Sequence, residues 1–166
     1  TVNSLPVSTL DSILKYHVLN SVVGSTNVPV SDAVTTLLGN SLFASRNTNG
    51  VFVNGIKVES ADVPASNGLI HVISKVLFPP TKSIAQIVST DTSFSLLLAA
   101  VTKAGLAGAV SGPGKFTVFA PTNAAFRAAG FNTVADINAA STDLITTVVR
   151  YHVITTNVFA SDLTDG

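Results

Sequence analysis

Cysteine is absent from the 166 residues, and so is tryptophan. Without a thiol there is no disulfide, no thiolate metal site and no cysteine nucleophile. An exported chain of this kind rests on its core alone, a habit commoner in bacteria than in animals. Charge is also scarce: 11% of residues are charged, against about 25% in a typical soluble domain. Nine basic residues balance nine acidic ones. Binding through phosphates needs a basic surplus, so nucleic acid and anionic membrane surfaces are not expected as partners. Long hydrophobic runs are missing despite a mean hydropathy of +0.51. The best apolar stretch, Leu96 to Val101, is bounded by Ser95 and Thr102, far short of the roughly 20 residues of a membrane span. It is expected to be a core helix.

Smaller absences narrow the chemistry further. Two tyrosines and no tryptophan make a thin platform for stacking sugars, although nine phenylalanines leave room for an apolar pocket. Glu59 is the only glutamate. No Asn-x-Ser/Thr acceptor occurs, as Asn3-Ser4-Leu5 and Asn40-Ser41-Leu42 show. Thr1-Val2-Asn3-Ser4 carries neither charge nor an apolar signal region, so a signal was removed or the chain begins inside a longer protein.

What is present is apolar content spread over Ala, Val, Leu and Ile and solvated by Ser, Thr and Asn rather than by charge, a composition common in exported proteins. The length suits one domain with a proper core and is short for two. A repeat organises it. Tyr16-His17-Val18-Leu19 recurs as Tyr151-His152-Val153-Ile154, an interval of 135 residues between positions 16 and 151. The same interval pairs Ile13 with Val148, Leu14 with Val149 and Lys15 with Arg150. The chain holds one period of domain length plus a duplicated end.

The pattern predicts an α+β unit. Leu10, Ile13, Leu14 and Val18 have helical spacing, with Ser8 or Thr9 as cap, and Asp143 to His152 is the counterpart with Leu144, Ile145, Val148 and Val149 on one face. Asn54-Gly55 centres a type I′ hairpin between Val51 and Val58. Leu69 to Phe78 reads as a buried strand ended by Pro79-Pro80, and the segment from Pro79 to Ser83 as a boundary. Beyond it, Phe94 to Lys103 reads as a helix closed by Gly105, Gly112-Pro113-Gly114 as a loop, and Phe116 to Phe119 as a short strand. A short helix from Asn123 to Ala129 follows, ending at Gly130.

Phe116-Thr117-Val118-Phe119-Ala120-Pro121-Thr122-Asn123-Ala124-Ala125-Phe126 resembles the first signature block of fasciclin (FAS1) domains, and the two Tyr-His-Val segments resemble the second. Asn67 to Pro80 is similar to the strand that closes such a domain, and Ser83 to Val88 to the helix that opens the next. The resemblance implies a β-wedge or small sandwich flanked by short helices. It also implies an order: residues 1–80 match the closing part of one repeat and residues 81–166 the opening part of the next, so a signature helix is left over. The halves then close on themselves, exchange between chains in a domain-swapped oligomer, or need flanking domains; exchange or completion by a neighbour is the expectation.

Chemical sites were weighed against this. His17, His71 and His152 are the only imidazoles, and no His-Glu-x-x-His spacing or comparable ligand set accompanies them. The expectation is histidines hydrogen-bonded within the fold. Gly39-Asn40-Ser41-Leu42-Phe43 lacks the last glycine of a nucleophile elbow. Ser111-Gly112-Pro113-Gly114-Lys115-Phe116 lacks the spacer and hydroxyl of a phosphate loop. Asp32, Asp62, Asp91 and Asp162 sit near turn and helix-start signals and read as caps, with calcium binding as the alternative. Neither cofactor nor metal is expected.

The resemblance implies a non-catalytic extracellular module, at the cell surface or in the periplasm. Its partners would be cell-surface or matrix proteins or polysaccharides, including biofilm contacts in bacteria, and self-association is possible through swapping. It nominates Tyr16, His17, Tyr151 and His152, with Asn123 and Phe126, as family-defining positions. In some animal relatives the Tyr-His region is associated with integrin binding; the acidic flank found there is missing here. A small-ligand binder and a histidine-centred hydrolase, with His71 or His152 in a cleft beside Asp or Ser, are the rival readings.

Overall fold

The computed structural model describes residues 4–112 and 114–163. The N-terminal Thr1-Val2-Asn3 reading and Pro113 of the expected loop lie outside the described residues. The chain forms two compact units, one of residues up to Pro79 together with the stretch from Val158, the other of Pro80–Asn157. Helices and strands are mixed, giving an α+β protein.

The first unit holds α1 (Val7–Tyr16) and five strands: β1 (Ser31–Thr35), β2 (Ser41–Asn47), β3 (Gly50–Val53), β4 (Ile56–Ala65) and β5 (Gly68–Ile73). They form one sheet in sequence order, each strand antiparallel to the next. The β3–β4 turn is Asn54-Gly55, with φ of 47° and 76°. Both positions are left-handed, which matches the twist of the flanking strands. β4 departs from regular register between Val58 and Val63. Asp62 sits at that irregularity with φ of 57°, a conformation Asp tolerates better than most residues.

Two expectations need correction here. α1 starts at Val7, with Pro6 at the N-cap position and no side-chain cap from any residue. Proline's fixed φ suits a helix start without a hydroxyl. The Leu69–Phe78 segment is not a buried strand. β5 stops at Ile73, and Leu69, Ile70 and Val72 are exposed. Ile70 and Val72, two positions apart, share a face the first unit leaves bare, whereas Ile73 packs on the core. The core instead gathers Tyr16, Leu42 and Leu77, with Leu38, Val53, Ile56 and Ile73 packed around them. Residues 158–163 lie on this sheet: Phe159 tilts against Phe43 at 6.0 Å, and Asp162 accepts from the Ser45 hydroxyl at 2.7 Å.

The second unit is helical: α2 (Ile84–Thr90), α3 (Ser95–Lys103), α4 (Ala107–Ser111), α5 (Asn123–Ala128), α6 (Val134–Ala139) and α7 (Thr142–Tyr151). A two-stranded antiparallel sheet of β6 (Thr117–Val118) and β7 (Val153–Ile154) completes it. Its core collects Val88, Leu97, Ala100, Phe126, Ile145 and Val149 around α3. Start signals are strong. Ser83 and Gln86 form a capping box, Thr133 and Asp136 another, and the Thr122 and Ser141 hydroxyls accept from backbone N–H groups three residues on. Lys103 closes α6 by donating to the Asn138 and Ala140 carbonyls, placing a cation on the negative end of the helix. On α7, Ile145 and Val149 are buried while Leu144 is exposed, so the expected four-residue apolar face is narrower. α4 and α6 lay outside the sequence expectations. Among the described residues no single helix is long and apolar enough to cross a membrane; α2 and the following helix together are, but a 97° bend separates them.

Two glycines give a graded stability test. Gly105 has φ of 67° with open space around it, whereas Gly55 has φ of 76° and a Cβ there would lie 3.1 Å from Phe159. Gly105→Ala is expected to cost about 1 kcal/mol from backbone strain alone. Gly55→Ala adds a steric clash and is expected to cost about 2–3 kcal/mol. Urea unfolding of both variants against the parent checks the order.

Candidate functional site: two copies of a tyrosine–histidine latch

α1 and α7 end alike. In each, the Tyr closes the helix and the His takes the C-cap position. The His Nδ1–H then donates to the carbonyl four residues back, His17 to Ile13 at 2.7 Å and His152 to Val148 at 2.8 Å. The imidazole thus bonds a carbonyl of the last helical turn, and the ring is fixed as the Nδ1–H tautomer whenever its Nε2 accepts.

The two copies differ in what lies beyond the helix. Tyr16 is 2% exposed. Its hydroxyl donates to the Ser41 carbonyl at 3.0 Å and accepts from the Asn54 amide at 3.0 Å. Asn54 uses its other end too, Oδ1 accepting from Phe43 N–H at 2.8 Å. His17 Nε2 accepts from Leu77 N–H at 3.0 Å. One helix end is thus fastened to three points of the first unit. Tyr151, by contrast, is 89% exposed, with its ring edge-on to His152 at 6.2 Å. His152 is half-buried beside an apolar cleft of the second unit. That cleft is small, about 40 Å³, and is lined by Val88, Leu97, Val101, Val118, Val149 and Val153 among others.

Asn123 and Phe126 stand on α5. The Thr122 hydroxyl caps that helix, which leaves Asn123 free to bridge to α3. Its Oδ1 accepts from Leu96 N–H at 3.0 Å, and its amide donates to the Thr92 carbonyl at 2.9 Å. Phe126 is buried in the helical core with Phe131 edge-on to it. Tyr16 with His17 belongs to the first unit, whereas Tyr151, His152, Asn123 and Phe126 belong to the second.

His71 has Ser25 and Asp62 nearby, the residue types of a hydrolase. Their bonding runs the wrong way for one. The Ser25 hydroxyl donates to Asp62 Oδ2, not to an imidazole. His71 Nε2–H donates to the Val23 carbonyl at 2.8 Å, and Nδ1 faces Asp62 N–H at 3.4 Å. No lone pair remains to take the serine proton, so the set ties the chain before β1 to the bulge in β4. Asp91 caps the turn at Ser93, Asp136 the start of α6, and Asp162 receives Phe159 N–H. Among the described residues no three His, Asp or Glu side chains gather where they could hold a metal ion.

Sequence reasoning missed two residues of the latch. Asn54 was read for its turn alone, although a side chain that can both donate and accept beside a tight hairpin is a clamp candidate. Leu77 contributes through its backbone N–H and leaves no residue-type signal.

With this geometry in view the relationships are plain. The Fasciclin domain family matches residues 1–79 and 92–166, and the chain belongs to that family. It is 35% identical over 135 residues to transforming growth factor-beta-induced protein ig-h3 of Oryctolagus cuniculus, covering 74% of this chain and 20% of that protein. With human periostin the identity is 30% over 159 residues, 94% of this chain and 18% of periostin. With protein sll1483 of Synechocystis it is 34% over 96 residues, 57% of this chain and 53% of that protein. The chain therefore spans about a fifth of the first two relatives. A solved FAS1 domain pair from the insect cell adhesion molecule fasciclin I aligns with 88% of this chain and 56% of its own, at 18% identity and a TM-score of 0.39.

Two measurements follow from the site. Tyr16→Phe leaves the Asn54 amide without its acceptor and is expected to cost about 1–3 kcal/mol, whereas Tyr151→Phe stays within about 0.5 kcal/mol; paired denaturation curves compare them. The Ser25 hydroxyl and N–H bonds hold the Asp62 carboxyl below its ordinary pKa. A depressed folded value means stabilisation that is complete above the unfolded pKa of about 3.9 and is lost as pH falls through the folded value. Below about pH 4, Asp62→Asn should therefore lose less stability with acid than the parent does, as read by acid titration of the melting temperature.

Proposed function

We propose that the chain is an extracellular adhesion and binding module, working by surface contact with cell-surface or matrix proteins and not by turnover. Residues 1–80 serve as the closing part of one fasciclin repeat and residues 81–166 as the opening part of the next. The observation that carries the non-catalytic reading is the bonding of the imidazoles. Each spends Nδ1 or Nε2 on a backbone carbonyl, and the one histidine near Ser and Asp has no proton-accepting role toward that serine. Family membership supports adhesion, since the fasciclin resemblance implies cell–cell, cell–matrix and bacterial surface contacts. The match in two segments supports the offset repeat order. Tandem copies raise apparent affinity through effective concentration, so no single contact has to be tight.

One observation favours a second reading. The apolar cleft of the second unit, whose lining is aliphatic apart from His152, fits a small apolar ligand better than a polysaccharide, which would want aromatic platforms. Cell attachment to surfaces coated with the chain separates the two. Attachment that rises steeply with coating density, and is competed by soluble tandem copies more strongly than by single ones, is the expected result. Attachment no better than to an albumin coat, with saturable uptake of an apolar fluorophore abolished by Val101→Trp, would overturn adhesion in favour of ligand binding.

A further inference from the structure

Three Asn-Gly pairs occur in the chain, Asn49-Gly50, Asn54-Gly55 and Asn67-Gly68. All three fall at hairpin turns of the same sheet, linking β2 to β3, β3 to β4 and β4 to β5. An asparagine before glycine has its side-chain carbonyl open to its own backbone, because no Cβ on the glycine shields the amide nitrogen. The three side chains are held very differently. Asn49 and Asn67 are exposed. Asn49 is tied through its backbone N–H, which donates to Asn47 Oδ1 at 2.8 Å. Among the described residues neither the Asn49 nor the Asn67 carboxamide has a hydrogen-bond partner. Asn54 is half-buried and bonded at both ends of its side chain, Nδ2 donating to Tyr16 at 3.0 Å and Oδ1 accepting from Phe43 N–H at 2.8 Å. Its own N–H donates to the Phe43 carbonyl at 2.7 Å. Gly55 beside it lies against Phe159.

We propose that Asn49 and Asn67 are sites of spontaneous deamidation, and that the latch on Tyr16 shields Asn54 from the same reaction. The backbone nitrogen of the following glycine attacks the side-chain Cγ and forms a new C–N bond. The Cγ–Nδ2 bond breaks, and the amide nitrogen leaves as ammonia with the proton the glycine nitrogen gives up. Water then opens the five-membered succinimide at either carbonyl, giving aspartate or isoaspartate. The step requires Cγ to swing onto the glycine nitrogen in a near-attack arrangement. An exposed carboxamide without partners reaches that arrangement by side-chain and backbone rotation alone. At Asn54 the swing breaks the bonds at both ends of the carboxamide, stripping the buried Tyr16 hydroxyl of a donor and Phe43 N–H of its acceptor. Attack there waits on a local opening of the clamp. Each conversion adds one negative charge to a chain whose nine basic and nine acidic residues balance, and the isoaspartate product lengthens the backbone of the turn. The chain thus ages toward more acidic forms at the β2–β3 and β4–β5 turns, while the hairpin that fastens α1 stays intact. The inference does not depend on the adhesion reading.

The test is incubation of the whole chain in mildly alkaline buffer, sampled over time by peptide mapping. Mass spectrometry reads amide-to-acid conversion at each asparagine, with fragmentation separating Asn49 from Asn54. In the folded chain Asn49 and Asn67 are each expected to convert about tenfold faster than Asn54 or more. In denaturing urea the gap is expected to close, because all three precede glycine and no latch remains. Tyr16→Phe removes the oxygen that Asn54 bonds and is expected to speed Asn54 by about fivefold or more while leaving the other two unchanged. Val28→Ala empties buried volume in the same unit outside the Tyr16 cluster and is expected to leave Asn54 slow. Asn54 converting as fast as the other two in the folded chain overturns the proposal, and so does either exposed site staying as slow as Asn54. A gap that persists in urea overturns it too, since neighbouring residues and not the fold would then set the rates. Equal acceleration of Asn54 by Val28→Ala and Tyr16→Phe overturns the part assigned to the latch. The folded parent against its urea-denatured form decides the matter even where Tyr16→Phe fails to fold.

Discussion

The first unit depends on one phenol. A buried tyrosine hydroxyl needs a partner for its proton and gains from one for its lone pair, and Tyr16 finds both in Ser41 and Asn54. That requirement couples elements distant in sequence. The hairpin must place Asn54 with its amide toward α1, and the same side chain then anchors β2 through Phe43 N–H. The left-handed backbone at Asn54 and Gly55 is thus used twice, to reverse the chain and to aim a clamp. His17 adds a third attachment at Leu77, beyond the last strand. Helix, hairpin and the exit from the sheet are held by polar contacts around a small apolar cluster.

The second unit reaches order by a different route. Its helices are short, α5 and α6 being six residues each, too short to persist alone in water. They are held by side-chain caps at the starts of α2, α5, α6 and α7 and by a shared core around α3. Asn123 shows how caps and core cooperate: because Thr122 fills the cap position, the amide one residue later can span to the start of α3. A signature that reads as conserved spelling is, physically, a division of labour between neighbouring residues.

Some of this was legible in the sequence and some was not, for identifiable reasons. Asn54-Gly55 announced its turn because few other pairs tolerate two positive φ values. The Tyr-His repeat announced equivalent helices because seven aligned positions preserve character. The ends of α3 and α5 were marked by Gly105 and Gly130, both with positive φ. Burial of Leu69–Phe78 was misjudged because an apolar strand shows only that some cover is wanted, not whether the same unit supplies it. α4 and α6 escaped notice because five or six residues give too little periodicity to read. Of the candidate site, residue types pointed to tyrosine and histidine in both copies. Only coordinates separate a latch that is closed from one that is open.

The duplicated helix also puts a clock into the chain. A ribosome releases α1 and all five strands by residue 79, and α7 follows some seventy residues later. At typical synthesis rates that is an interval on the order of ten seconds or less, long compared with the folding of a small α+β unit. The first helix therefore claims its sheet before a competitor exists. The order of synthesis thus lets the first helix settle on its sheet while the second is still unmade.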